Sequence, residues 1–169
     1  QYRRALMVTL GSVARVQESL GSIPDLLVTR LECESLAARM LALRPEEHQP
    51  VEDHSIACRL LGEAYQNLGQ LNEASRWLDL SVSRIRPLLL SGNSSYAARK
   101  TLACAFEKRA GVESQQKHHL QAISSYRQAL ALRSHLRDQQ PDSGANRQQI
   151  AGVQYRVGLL YRTTGDYEQ

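Results

Sequence analysis

Apolar residues recur every three to four positions along most of the chain, in runs of roughly 15–22 residues, which is the spacing of one buried helix face. No segment of useful length alternates apolar and polar residues with the period of two that a half-buried strand shows. Breaks rich in Gly, Pro, Asn, Asp and Ser separate the runs at 21–24, 44–50, 68–71, 91–94, 140–144 and 164–166. The pattern predicts an all-α chain of about seven helices, with Asn93 or Ser94 capping the helix after the fourth break.

The breaks are of two kinds that alternate along the chain. Gly21, Gly69 and Gly165 stand in short, tight turns, whereas the breaks between them are longer and rich in Pro, Asp or Asn. This alternation indicates helical hairpins joined in series, which predicts an internal repeat.

A period of 48 residues is present without gaps. It places four small residues in one column, and the tight-turn glycines keep the same spacing, with Lys117 in the glycine position of the third copy. The small column consists of Ala14, Gly62, Ala110 and Gly158. The second and fourth copies show the pattern more strongly than the first and third. The second helix of the first copy cannot be aligned past Ile23.

Three stretches of this repeat resemble the tetratricopeptide repeat family. They are Leu61-Gly62-x-x-Tyr65 with Gly69-x-Leu71 and Ala74-x-x-x-Leu78-x-x-Ser81; Ala122-x-x-x-Tyr126-x-x-Ala129-Leu130; and Val157-Gly158-x-x-Tyr161 with Gly165-Asp166-Tyr167. The resemblance implies an α-solenoid of antiparallel helix hairpins wound into a right-handed superhelix. The family's usual repeat is about 34 residues. The additional residues here amount to about four helical turns, which predicts the long hairpins of long-repeat members such as those in kinesin light chains and large bacterial signalling proteins.

The chain is predicted to form one repeat domain, residues 1–169, with repeats at about 1–44, 45–91, 92–140 and 141–169. The last repeat lacks its second helix, and the chain begins with Gln1, so we expect a fragment of a larger multidomain protein. Without that second helix, Val157, Leu160 and Tyr161 are not expected all to be buried. The exposed apolar strip predicts either self-association through this helix or fraying of it.

No sequence motif of a catalytic site or a nucleotide site is present, so we predict neither an enzyme nor a cofactor. The three cysteines include no CxxC pair, which indicates no disulfide framework. His54 and Cys58 are four residues apart and share a helix face. A zinc site needs at least three protein ligands, and no third lies nearby in sequence. We therefore predict no metal, and interpret the pair as a capping histidine beside a packed cysteine.

Charge is distributed unevenly. Residues 1–84 carry 9 Arg against 11 acidic residues, and residues 85–169 carry 12 Lys and Arg against 6, giving −2 and +6. The basic half raises the alternative of an RNA-binding α-solenoid. However, Arg127, Arg133 and Arg137 are predicted on the convex side of a second helix, which argues against nucleic acid. No apolar run approaches the roughly 18 residues of a membrane span, and free thiols suit the reducing cytoplasm.

In the resembling family, ligands lie in the concave groove lined by the first helix of each hairpin. The resemblance therefore implies a scaffold or regulatory segment, in signalling for instance, that holds a protein or peptide. A merely solvated helix face is the competing interpretation, and a segment that regulates an enzyme such as a protein kinase or protease is a further alternative. The predicted groove residues are Arg15, Glu18, Arg59, Glu63, Gln66, Asn67, Glu107, Ser114, Gln115, Tyr155, Leu159 and Arg162.

Overall fold

The computed structural model describes residues 2–90 and 95–165, and within these ranges the chain forms seven α-helices and no strand. The prediction of an all-α fold of about seven helices is confirmed. The helices are α1 (Tyr2–Ser19), α2 (Ile23–Leu43), α3 (His48–Asn67), α4 (Leu71–Leu90), α5 (Tyr96–Gln115), α6 (His119–Gln139) and α7 (Gly144–Thr164).

Serine side chains cap two of these helices. The Ser95 hydroxyl accepts a hydrogen bond from the backbone N–H of Ala98 at the start of α5. Ser143 caps α7 in the same way. The predicted caps Asn93 and Ser94 lie outside the described residues, and the cap that the structure assigns to α5 is Ser95. Each cap satisfies a backbone donor that the first helical turn leaves without a partner.

The same tight turn joins α1 to α2, α3 to α4, and α5 to α6. In each turn a backbone N–H reaches back to the carbonyl five residues earlier, and the residue before that donor has a positive φ. The three bonds are Ser22 N to Gln17 O, Gln70 N to Tyr65 O and His118 N to Glu113 O, at 2.9, 3.0 and 2.8 Å. They are spaced 48 residues apart. Gly21 and Gly69 hold the positive φ in the first two turns, and Lys117 holds it in the third at 65°.

The chain divides into two compact units, residues 1–88 and 89–169. In the first unit α1 packs on α2 and α2 on α3, and α3 meets α4 through the buried hydroxyls of Ser55 and Ser81, 3.0 Å apart. Gly62 of α3 lies directly against the side chain of Leu78, in α4. Pro87 lies inside α4, which continues to Leu90. Because proline removes one helical hydrogen bond and crowds the preceding turn, we expect a bend at this residue.

Buried arginines occupy core positions of the repeat. Leu78 is fully buried, and Arg30, which is 48 residues earlier, is only 5% exposed. Likewise Ile85 is fully buried, and Arg133, 48 residues later, is 3% exposed. The first copy departs from the repeat pattern past Ile23, where the cation of Arg30 stands at an apolar position. The structure shows that α2 nevertheless keeps the register of α4.

In the second unit α5 packs on α6 and α6 on α7. One buried cluster among the described residues of this unit consists of Ala110, Ala122, Ile123, Tyr126, Val153 and Leu160. Val157 and Tyr161 pack against the cluster but are only partly buried. The expectation that these two and Leu160 would not all be buried is therefore confirmed, whereas self-association through α7 stays a prediction.

Candidate functional site

In the first unit the predicted groove residues lie on α1 and α3. Arg15, Glu18 and Asn67 are exposed, whereas Arg59, Glu63 and Gln66 are partly buried. The Arg59 guanidinium donates a hydrogen bond to the Glu63 carboxylate one turn later. These six side chains are polar, and they include both signs of charge.

A buried cation from α2 lies beside these residues. Arg30 places Nη2 3.9 Å from Glu18 Oε2. Burial lowers the pKa of Arg30, and the nearby Cys33, Glu18 and Glu63 oppose that shift. Within the described residues, Arg30 Nε and Arg59 Nε are buried and have no hydrogen-bond partner. Arg30 was not predicted as a site residue, because it lies on a second helix at a position where the repeat pattern favours an apolar residue.

In the second unit most of the predicted residues are also accessible. On α5, Ser114 is partly buried and Gln115 is exposed, and on α7 Tyr155, Leu159 and Arg162 are exposed. Tyr155 is 74% exposed and Leu159 48%, so this side of α7 offers apolar as well as polar contacts.

Glu107 differs from the other predicted groove residues. Its carboxylate Oε1 lies 2.7 Å from Arg133 Nε of α6, and its side chain is only 11% exposed. Arg133 Nη2 also lies 3.2 Å from the sulfur of Cys104. Burial by itself lowers the pKa of Arg133, but the hydrogen bond to Glu107 and the charge of neighbouring groups raise it overall.

This ion pair corrects one prediction. Arg133 was expected on the convex surface, yet it is buried against α5 because its repeat position faces the partner helix. Glu107 is held by Arg133 and is partly buried, and a contact between Glu107 and a ligand stays a prediction. The exposed basic set of α6 is therefore smaller than the sequence indicated.

Three side chains with metal-binding donor atoms meet between α2 and α3. His54 Nε2 lies 3.1 Å from Glu34 Oε1 and 3.6 Å from Cys58 Sγ. All three donor atoms lie within 4.8 Å of one another. The spacing of His54 and Cys58 on one helix face indicated this pair, whereas Glu34 comes from α2, 20 residues before His54. The interpretation of His54 as a helix cap is wrong, since α3 begins at His48 and its N-cap is Glu47.

The thiol in this cluster is not set up as a nucleophile. Cys58 is fully buried. Burial raises its pKa to about 12, the Glu34 carboxylate acts in the same direction, and Arg84 opposes it. Catalytic cysteines instead have a depressed pKa and some exposure. Glu34 and Cys58 also contact the same nitrogen of His54, whereas a catalytic triad uses the two ring nitrogens for different partners.

None of the helices in residues 2–90 and 95–165 carries a stretch long and apolar enough to cross a bilayer.

Residues 57–86 match the family model described as tetratricopeptide repeat. The match begins in α3, includes the turn at Gly69, and ends within α4. It contains Gly62 with its contact to Leu78, and the predicted groove residues of α3. No curated protein matches the chain. Over residues 57–86 the chain is therefore similar to a tetratricopeptide repeat, which is the kind of repeat that generally binds proteins or peptides.

Proposed function

We propose that this chain is a protein-interaction module of the long-repeat tetratricopeptide kind, which serves as a scaffold or regulatory segment. It holds a peptide or protein on the surface formed by the predicted groove residues of α1 and α3. The observation that carries the proposal is the family match at residues 57–86, whose first helix bears Arg59, Glu63, Gln66 and Asn67. The recurrence of one turn geometry at 48-residue spacing supports the long-repeat assignment.

The chemistry of this face favours a segment that offers hydrogen-bond acceptors and at least one charge. Arg15 and Glu18 are exposed on α1, with Asn67 on α3. Arg59 and Glu63 form a partly buried ion pair on α3. Together they supply a hydrogen-bond donor and an acceptor whose positions are already fixed. Fixed side chains lose less rotamer entropy on binding, and amide and charged groups recognise the backbone of an extended or helical peptide.

The second unit offers a surface of the same kind on α5 and α7. Exposed tyrosines are common anchors at protein interfaces because they combine a large apolar ring with a hydroxyl. Tyr155, with Leu159 and Arg162 on the same helix, supplies such an anchor beside a cation. We propose this surface as a further contact for a protein partner, in a cytoplasmic setting.

A peptide selected from a random library against the immobilised chain provides the test. Arg15→Glu reverses an exposed charge on α1 and should weaken binding of the selected peptide about tenfold or more. An effect of this size is expected when one charged contact near the centre of an interface is lost. Arg76→Glu is the matched control. Arg76 is also exposed and also bonded within its own helix, but it lies on α4. The Arg76→Glu variant should bind the selected peptide with the wild-type affinity. Both variants should have the thermal midpoint of the wild type.

Selection of no peptide, or loss of binding through Arg76→Glu and not through Arg15→Glu, would contradict the proposal. The RNA alternative started from the net charge of +6 in residues 85–169, and the burial of Arg133 leaves one fewer exposed cation in that half to contact phosphates. A single-stranded oligonucleotide that binds more tightly than the selected peptide, and loses affinity steeply with salt, would favour RNA instead.

A further inference from the structure

We propose that Glu34, His54 and Cys58 form a Zn²⁺ site that joins α2 to α3. This inference does not depend on the proposed interaction function. It starts from three different donor groups, supplied by two helices, whose ligand atoms converge within 4.8 Å of one another. A carboxylate oxygen, an imidazole nitrogen and a thiolate sulfur are the ligand types that zinc takes in proteins.

The distances suit tetrahedral coordination. Zinc ligands at about 2.0–2.3 Å with tetrahedral angles lie roughly 3.3–3.6 Å from one another. The observed separations are 3.1 Å between His54 Nε2 and Glu34 Oε1, and 3.6 Å between His54 Nε2 and Cys58 Sγ. The two measured edges of the coordination polyhedron are therefore close to their bound lengths. The third edge, between Glu34 and Cys58, is at most 4.8 Å, and a side-chain rotation that shortens it would complete the site.

Hydrogen bonding alone leaves this cluster poorly satisfied. One imidazole nitrogen faces both the Glu34 carboxylate and the Cys58 sulfur, and a nitrogen can offer either one proton or one lone pair, not both. His54 is only 3% exposed, and its other nitrogen, Nδ1, is buried with no hydrogen-bond partner among the described residues. Buried polar groups are normally satisfied, so the conflict at Nε2 calls for a group that this nitrogen, Glu34 and Cys58 can all bind. A metal on Nε2 would leave the imidazole proton on Nδ1 and would not supply the partner that Nδ1 lacks. A cation on Nε2 meets all three donors together.

The charges also balance. Ionised Glu34 and Cys58 as thiolate carry two negative charges, and His54 is neutral when it ligates. A divalent cation therefore gives a buried centre of zero net charge, which avoids the cost of an isolated buried ion. Binding displaces the thiol proton of Cys58 to solvent and forms the sulfur–zinc bond in its place. The side chain of Glu34 is 18% exposed, so water can supply the fourth ligand from that side.

The experiment titrates the EDTA-treated chain with Zn²⁺ against a chromophoric chelator and repeats the titration with Co²⁺. We expect one Zn²⁺ per chain, a rise of the thermal midpoint on addition of metal, and a thiolate-to-cobalt charge-transfer band. Cys58→Ala and His54→Gln should each weaken binding by more than the roughly 10–100-fold that loss of an outer-shell partner costs. The cobalt band should vanish in Cys58→Ala.

Cys33→Ala is the matched control, because Cys33 is also a buried free thiol but lies outside the cluster. It should keep the wild-type affinity and the cobalt band. Glu34→Gln keeps the shape of the side chain, and should weaken Zn²⁺ binding while leaving the metal-free melting temperature near the wild-type value. No Zn²⁺ binding by the wild type, a cobalt complex without a thiolate band, or equal affinities of Cys58→Ala and Cys33→Ala would each overturn the proposal.

Discussion

Gly62 marks a place on α3 where no side chain fits. A Cβ built there would lie 2.8 Å from Cγ of Leu78 and 3.2 Å from the carbonyl oxygen of Ala74. Leu78 and Ala74 are both fully buried, so neither can move aside cheaply. Gly158, 48 residues beyond Ala110 in the same column, has nothing within 4 Å of its Cβ position.

The same substitution should therefore have opposite signs at these two glycines. Gly62→Ala should destabilise the chain by about 1–3 kcal/mol, because overpacking exceeds the gain in helix propensity. Gly158→Ala should stabilise it by about 0.5–1 kcal/mol, the propensity gain alone. Urea midpoints of the two variants check this. Equal effects of the two substitutions would show that close approach at Gly62 is not what its repeat position requires.

Lys117 holds a left-handed conformation that glycine adopts at the equivalent positions Gly21 and Gly69. A non-glycine residue in this region carries a steric cost of about 1–2 kcal/mol. Glycine avoids this cost, but it loses more backbone entropy on folding, so the net gain from a change to glycine is smaller. Lys117→Gly should stabilise the turn between α5 and α6 by about 0.5–1 kcal/mol. Lys117→Ala keeps the strain and should give no gain. A thermal midpoint that rises equally in both variants would attribute the effect to loss of the lysine charge.

At the scale of helices, α5 and α6 share a buried ion pair. Arg133 and Glu107 have side chains only 3% and 11% exposed, and Nε lies 2.7 Å from Oε1. Charges this deep cost desolvation energy that only a well-formed pair offsets, so loss of one partner strands the other.

Arg133→Met should consequently cost about 3–5 kcal/mol of stability, since it leaves the Glu107 carboxylate buried without its cation. Adding Glu107→Leu to Arg133→Met should recover most of that loss, because two apolar side chains then fill the space. Chemical denaturation of the single and double variants measures both changes. A double variant as unstable as the single one would mean that packing, not charge, dominates at this contact.

Helix type and most turn positions followed from the sequence because they depend on local spacing and on glycines with positive φ. The turn at Lys117 has no glycine, and only the 48-residue period indicated it. Most of the predicted groove side chains in residues 2–90 and 95–165 are at least partly accessible to solvent. This follows from helical periodicity, because positions outside the buried stripe of a helix face away from its core. The failures involve contacts between helices. Arg30 and Arg133 are charged residues at core positions, which apolar periodicity cannot reveal. Glu34 joins His54 and Cys58 only once α2 and α3 have packed.

At the scale of the whole molecule, two buried thiols and a buried phenol hold their protons to higher pH than exposed groups of the same kind. Burial raises the pKa of Cys33 and Tyr126, and raises that of Cys58 to about 12. A group whose folded pKa is raised stabilises the chain fully below its unfolded pKa, and loses that contribution as pH rises towards the folded pKa. Above about pH 9 the unfolded chain releases thiol protons that the folded chain retains, so stability should fall with increasing pH.

Stability measured by urea unfolding in EDTA between pH 8 and 11 should therefore decline, by at most about 1.4 kcal/mol per pH unit for each such group. Cys58→Ser removes one titrating thiol and should make the decline shallower above pH 9. An identical slope for the wild type and Cys58→Ser would mean that the thiol of Cys58 titrates alike in the folded and unfolded chains.

The buried column of Arg30, Leu78 and Tyr126 bears on how the chain avoids misfolding. Repeat proteins are prone to misassembly when one copy takes the place of another. Here the three equivalent side chains are a cation, an aliphatic group and a phenol, each buried in its own hairpin. A slip by one repeat would place a guanidinium in a pocket shaped for leucine. The column therefore gives each hairpin a distinct identity, and repeats of this chain should not be interchangeable in shuffled or duplicated arrays.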